Sequence, residues 1–476
     1  MTEKKRTASG SRSVSGSGAG KTGASSKKTV RKPAVSKAQS KTESKRSVKA
    51  APAASKNKRA SEKKRLQQGN IRLLEKSENY RELHDGGGAA VMTRSAAAKT
   101  QKKKKTWVLY GFDYGLFTIV MVLLAFGLIM MFSASYANAY TATGDSLFYL
   151  KRQAIFAVFG LAIMLILSTM DYHILQWKPA VYVIVAASIG LMAAVKVVGV
   201  TQGGAERWLQ IGEITFQPSE VLKFAVIVFF AYLTEKLFSK LKSFKGGFLP
   251  FSIALGISCV LLMAQPHLSG TIIVFAIGFT MMFVAGVSPK YLFLMLGGIV
   301  ILIAAAVMIL NAMGIDYFST RIISFQDPEF DIKDKTFQTY QSLVTIGSGG
   351  MFGLGFGNSR QKYNYLPMSR NDFIFSIICE ELGFVGAFLV ILLFIILVWR
   401  GFYICGRARD KFGMMLAFGI TFQIGIQALL NIAVVTNSVP NTGISLPFFS
   451  YGGTALVMQL AEMGILLSVS RKAELK

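Results

Sequence analysis

Residues 365–399 read YLPMSRNDFIFSIICEELGFVGAFLVILLFIILVW, and the change of character inside them decides the fold. A polar loop gives way at Asp372 to an apolar run long enough to cross a bilayer, which takes about 20 residues. The same ruler picks out nine more runs, near 114–137, 153–170, 179–199, 219–237, 247–265, 268–286, 290–311, 412–434 and 446–469, with the first run placed at 372–399. The fold class read from this pattern is an all-α polytopic membrane protein of about ten transmembrane helices, in keeping with a chain of 476 residues that is 52% apolar. A large loop, 312–371, joins the seventh and eighth spans. Loops of that length are seldom mere connections. Its stretch SLVTIGSGGMFGLGFGNSRQKYNYLP (342–367) is aromatic, glycine-rich and apolar, so it is expected to fold back onto the ends of the spans.

Charge divides the chain at its first span. Residues 1–105 hold 29 Lys and Arg against 7 Asp and Glu, which places +22 of the formal +28 there and leaves +6 for the rest. Segments such as AASKNKRASEKKR and KTQKKKKTW have no apolar periodicity and cannot bury a core, so 1–106 is read as a disordered basic cytoplasmic tail and 107–476 as the membrane domain. A basic tail that ends at a span marks the cytoplasmic side and meets anionic lipid. No nucleic-acid partner is expected, because no aromatic-interleaved binding module accompanies the charge. No cleavable signal peptide is visible, and the first span is expected to be the anchor. With both termini inside, the inner loops and the C-terminus carry 13 Lys and Arg, which agrees with the positive-inside bias. Cys259, Cys379 and Cys405 show neither disulfide nor metal spacing and read as packing residues.

Ionisable groups at membrane depth are costly and usually face a cavity or one another. Three clusters of polar or helix-breaking residues qualify, all on the outer side. The first is Asp372, preceded by Arg360, Lys362 and Arg370 and followed by Glu380 and Glu381. Asp372 reads either as a helix-capping acid or as a general base beside a water-accessible loop. The second is GAERWLQIGEITFQPSEVLKF (204–224), with Arg207, Gln217, Glu220 and Lys223 as candidate substrate contacts. Glu220 and Lys223, one turn apart, read as a structural ion pair, while Arg207 and Lys223 also suit a phosphate group. The third is SVPNTGISLPFFSYGGTAL (438–456), which carries Ser450 and whose Pro and Gly residues either kink a helix harmlessly or break it to line a cavity. His267 reads as an interfacial residue, because no second His or Cys lies near it to make a metal site. The glycine-rich run gives no nucleotide-binding signal.

Three blocks, GSGGMFGLGFGNSRQKYNYLPMSRNDFIFSIICEELGFVG (347–386), RWLQIGEITFQPSEVLKF (207–224) and GISLPFFSYGGTAL (443–456), resemble the signature segments of the FtsW/RodA/SpoVE family of SEDS peptidoglycan glycosyltransferases. The resemblance runs from about Phe112 to Arg471, and NSRQKYNYLP is closer to the FtsW/SpoVE branch than to RodA. It implies polymerisation of lipid II at the outer face of a bacterial cytoplasmic membrane during division or sporulation, with Asp372 as the essential acid. It also implies a class B penicillin-binding transpeptidase and other division-complex proteins as partners at the septum. Arg207, Lys223, Arg360, Lys362 and Arg370 are then the candidates to neutralise the departing undecaprenyl pyrophosphate. Members usually carry an acid where this chain has Met368, and often an Asp where it has His267. Those departures weaken any mechanism that needs a second carboxylate, and leave open whether a divalent cation such as Mg or Mn takes part. The rival readings are a flippase for the lipid-linked precursor and a non-catalytic scaffold for a transpeptidase. Gathering the charge on one side of the bilayer favours an enzyme over both.

Overall fold

The computed structural model describes residues 111–202, 205–212, 214–312, 325–332, 336–363 and 365–473; the basic tail 1–106 lies outside them. The helices are α1 (Tyr114–Thr143), α2 (Phe148–Thr169), α3 (Lys178–Val198), α4 (Pro218–Lys236), α5 (Leu249–Met263), α6 (Leu268–Ala285), α7 (Pro289–Ala312), α8 (Phe337–Ser348), α9 (Ile374–Gly406), α10 (Lys411–Val435) and α11 (Gly453–Lys472). Among the described residues eight helices are long and apolar enough to cross a membrane: α1, α2, α3, α5 with the π turn before it, α6, α9, α10 and α11. The other two expected spans coincide with α4, which carries Glu220, Lys223, Glu235 and Lys236, and with α7, whose apolar part covers Pro289–Leu302.

Polar side chains fix one end of the bundle. Asp113 caps α1 by accepting from the Leu116 amide at 2.9 Å, and Arg400 near the end of α9 holds the same carboxylate at 2.9 Å. Asp410 caps α10 by accepting from the Gly413 amide and also accepts a hydrogen bond from the Tyr172 hydroxyl, while Lys472 pairs with Asp171. These contacts put the entry to α1, the end of α9 and the end of α11 on one face of the bundle.

Three features depart from the sequence expectation. Residues 199–216, expected as loop in an all-α chain, form a small antiparallel sheet of β1 (Gly199–Gln202), β2 (Ala205–Ile211) and β3 (Ile214–Phe216). The last span, expected from 446, begins at Gly453: Pro447 and the positive φ of Phe448 keep the apolar stretch before it irregular. Its backbone is satisfied by buried amides, Gln459 accepting from the Phe448 N–H and Gln153 from the Gly452 N–H.

The third departure is a break in α9 at Gly383, whose φ of 66° no helix permits. The Glu380 and Glu381 carbonyls, which would have accepted from residues 384 and 385, accept instead from the Leu354 and Gly355 N–H groups at 2.9 and 3.0 Å. The Phe384 and Val385 N–H groups donate to the Gly350 and Met351 carbonyls at 2.9 and 3.2 Å. The glycine-rich run thus supplies the hydrogen bonds of a missing helical turn. Gly353, at φ 78°, lies so close to the Glu381 carbonyl that a β-carbon there would collide with it. The expected folding back of the 312–371 loop is seen in its described part: α8 packs on α9, with the Ser342 and Ser376 hydroxyls bonded at 2.8 Å.

Candidate functional site

Between the sheet, the N-terminal end of α4, the turn before α6, the approach to α9 and the irregular 441–452 segment lies a cavity of about 780 Å³. Members of all three sequence clusters line it: Arg207, Gln217, Glu220 and Lys223 from the second, Asp372 from the first, and Gly443 and Ser450 from the third. Side chains separated by more than 200 residues therefore share one chamber.

Asp372 does not cap α9. The capping position is Phe373, and no side chain there bonds the helix N–H groups. The carboxylate keeps access to the cavity while protein packs around its other sides. Burial pushes it up to about 6, with the Arg207 guanidinium pulling the other way. One carboxylate oxygen lies against Gly443, where an added β-carbon would stand 3.2 Å from it. Gly443 is held at φ 69°, so both space and conformation there favour glycine.

Lys223 and Glu220 form a buried ion pair at 2.8 Å, and Lys223 also donates to Gln427 at 3.0 Å. The pair has the geometry of the expected structural ion pair, and both side chains line the chamber. Arg207, on β2, donates to the Pro266 carbonyl. His267 lines the wall with its Nε2 3.5 Å from Gln217. Burial and the nearby Arg207 and Lys223 charges lower its titration to about 3, which keeps the imidazole neutral. Ser450 lines the chamber, but its hydroxyl is engaged on both sides, donating to the Asn371 carbonyl at 2.6 Å and accepting from the Leu446 N–H at 2.8 Å.

Three of the expected cations do not line the chamber. Lys362 is fully buried against Glu381 at 2.8 Å and donates to the Gly357 carbonyl at 2.6 Å. Its charge is neutralised inside the loop, where no leaving group can reach it. Arg360 is exposed, and its N–H donates to Glu380 at 3.0 Å. Arg370 stacks on the Tyr149 ring, 4.1 Å from its centroid. Sequence proximity to Asp372 had grouped these three with it. The loop instead buries the Lys362 ammonium against Glu381 and brings only the backbone N–H of Arg360 to Glu380.

Residues that the sequence reading passed over include Gln427 and Asn431. With Gln423 they recur at four-residue spacing along α10, one polar stripe in an apolar helix, and that spacing was the available signal. For a metal, no three His, Cys, Asp or Glu side chains gather among the described residues to hold an ion. In the chamber the acids are Asp372 and the lysine-paired Glu220.

Residues 114–475 match the family model for FtsW, RodA and SpoVE, described as a cell cycle protein. A probable peptidoglycan glycosyltransferase FtsW of Geobacter sp. (strain M18) is 38% identical over 364 residues, covering 76% of this chain and 97% of the relative. Stage V sporulation protein E of Bacillus subtilis is 39% identical over 363 residues, 75% of this chain and 97% of that one. Among solved structures, a chain from work on polymerization and crosslinking by a peptidoglycan synthase complex superposes with a TM-score of 0.61 at 27% identity, over 77% of this chain and 99% of the other. The rod shape determining protein RodA of Thermus thermophilus gives 0.56 at 25% identity, over 78% and 99%.

Proposed function

The chain belongs to the FtsW/RodA/SpoVE family, and from that premise we propose that its chamber joins lipid II units into glycan at the outer face of a bacterial cytoplasmic membrane. The protein is a peptidoglycan glycosyltransferase with a polytopic helical membrane domain. The observation that carries the finer reading is the meeting, in one chamber, of a carboxylate raised to about 6 with Arg207 and the Lys223–Glu220 pair.

In this reading the acceptor sugar hydroxyl attacks the anomeric carbon of the growing chain. A new C–O bond forms there as the bond to the pyrophosphate oxygen breaks. The hydroxyl proton passes to Asp372, which is ionised at neutral pH yet basic enough to accept it. Arg207 and Lys223 face the charge that develops on undecaprenyl pyrophosphate. His267, neutral, adds no charge and supports the wall through Gln217. A Mg or Mn ion would find one unpaired carboxylate, Asp372, and the phosphates of the substrate itself. No step above is routed through a metal.

The same reading places both termini on the cytoplasmic side, the basic tail against anionic lipid, and the enzyme at the septum beside a class B transpeptidase. The Lys and Arg distribution supports the orientation, and the likeness to a chain of a synthase complex supports the partner. The test is glycan synthesis by the purified protein from labelled lipid II, with and without a candidate transpeptidase. Long glycan strands are expected. Lipid translocation without polymer, with or without the partner, would overturn the reading.

A further inference from the structure

The backbone that carries Asp372 is not part of a helix, and its position depends on three donors from elsewhere. The Arg370 carbonyl accepts from the Tyr451 N–H at 2.9 Å, the Asn371 carbonyl from the Ser450 hydroxyl at 2.6 Å, and the Asp372 carbonyl from Asn431 Nδ2 at 2.7 Å. Asn431 Nδ2 makes a second bond, to the Ile444 carbonyl at 2.6 Å. Both partners are carbonyl oxygens, so the nitrogen of the amide must face them. Ile444 follows Gly443, whose backbone abuts the Asp372 carboxylate. One fully buried side chain, outside the chamber, therefore ties together the two segments that bracket the catalytic oxygen.

We infer that Asn431 is the positioning residue of the reaction: its amide fixes the separation between Asp372 and the Gly443–Ile444 wall, and so the direction in which the carboxylate meets the acceptor hydroxyl. The inference rests on Asp372 being the general base. A displacement of about 1 Å at a reacting group costs on the order of a hundredfold in rate, while binding through distant cations is left alone. Asn431 touches no substrate and acts only through Asp372.

The experiment compares Asn431→Ala and Asn431→Leu with the unaltered enzyme, purified at full length, for polymerisation of labelled lipid II across pH 5 to 8. Leucine keeps the branched shape, which separates loss of the two hydrogen bonds from creation of a void. In both variants kcat is expected to fall about tenfold to a hundredfold per folded molecule, with KM for lipid II within about threefold. The acid limb of kcat, expected near 6 in the unaltered enzyme, should move to lower pH, because a released carboxylate gains water. The other titratable groups facing the chamber are Arg207, Glu220, Lys223, His267 and Tyr451, and none of them is altered. If neither variant folds, Ser450→Ala, which removes the donor to carbonyl 371, must move the same limb in the same direction. A fall in kcat with an unmoved limb, or an unchanged kcat, would overturn the inference. Failure of the unaltered enzyme to make glycan would instead overturn the functional reading beneath it.

Discussion

Two lysine–glutamate pairs in this molecule have the same 2.8 Å separation and nearly the same burial, yet they do opposite things. Lys362 and Glu381 are sealed. Glu381 also accepts from the Ser133 hydroxyl at 2.7 Å and lies within reach of the Ser359 N–H, while Lys362 holds the Gly357 carbonyl and sits over the Tyr136 ring. That pair locks the loop onto α9. Lys223 and Glu220 line a chamber together with Asp372, so their charges border open volume. A buried ion pair is therefore no mark of a site by itself. What distinguishes the second pair is the open volume beside it and the unpaired acid that shares that volume.

The largest effect expected is on the acid. Asp372→Asn should lower kcat about 10²- to 10⁴-fold, the usual worth of a general base, with the protein still folded in detergent or nanodiscs. Rates of the unaltered enzyme should fall about tenfold per pH unit below about 6, as the base takes up its proton. The same substitution should raise thermal stability. With its titration raised to about 6 from 3.8, the native state holds the proton more tightly than the unfolded chain, so stability falls as pH rises through that window. The cost is fully present at pH 7.5, and removing it should add about 1 kcal/mol or more. A variant that polymerises normally would return Asp372 to the scaffold.

Next in size is a direct contrast of the two pairs. Lys362→Met should cost about 3–5 kcal/mol of stability, because it strands a sealed carboxylate, while activity per folded molecule stays within about threefold. Adding Glu381→Gln should recover most of that loss. Lys223→Met should show the reverse pattern: a loss of about 10²-fold in kcat, with a smaller change in melting temperature because Glu220 can take water from the chamber. Melting curves and initial rates on the three proteins decide it, and matching profiles for Lys223→Met and Lys362→Met would erase the distinction.

The smallest expected effect is that of Gly443→Ala. A methyl group 3.2 Å from the Asp372 oxygen, at φ 69°, should cost about 1–2 kcal/mol of stability and about tenfold in kcat. A rate equal to that of the unaltered protein would show that the carboxylate does not depend on this wall.

Much of this was legible in the chain. Apolar runs located the helices, with ends off by up to seven residues, since burial in lipid leaves little else for such runs to do. The start of α11 was misplaced because Leu446, Pro447, Phe448 and Phe449 are apolar enough to read as a span, and only the buried amides of Gln153 and Gln459 let them stay irregular. In the site, Arg207, Glu220, Lys223 and Asp372 stood out by the cost of charge at membrane depth, with the family resemblance pointing to Asp372, while Gln217 came as their neighbour in sequence and Ser450 with the Pro- and Gly-broken stretch; all six line one chamber. Lys362 was misgrouped because distance along a loop says nothing of which way the loop turns. Asn431 was passed over because an amide in an apolar helix carries no charge to draw attention. Its work is done on carbonyl groups, which every residue has.

The exchange of hydrogen bonds between 350–355 and the break at Gly383 bears on how such chains can recombine. Two N–H groups and two carbonyls on each side must meet in register, so an insertion or deletion of one residue in either segment leaves polar backbone unmatched in a region where little water can replace it. The segments are 30 residues apart in the chain and are joined as one hydrogen-bonded unit. A chimera with a relative keeps this exchange whole when its crossover falls before Gly349 or after Val385, and a junction between them must reproduce the spacing on both sides.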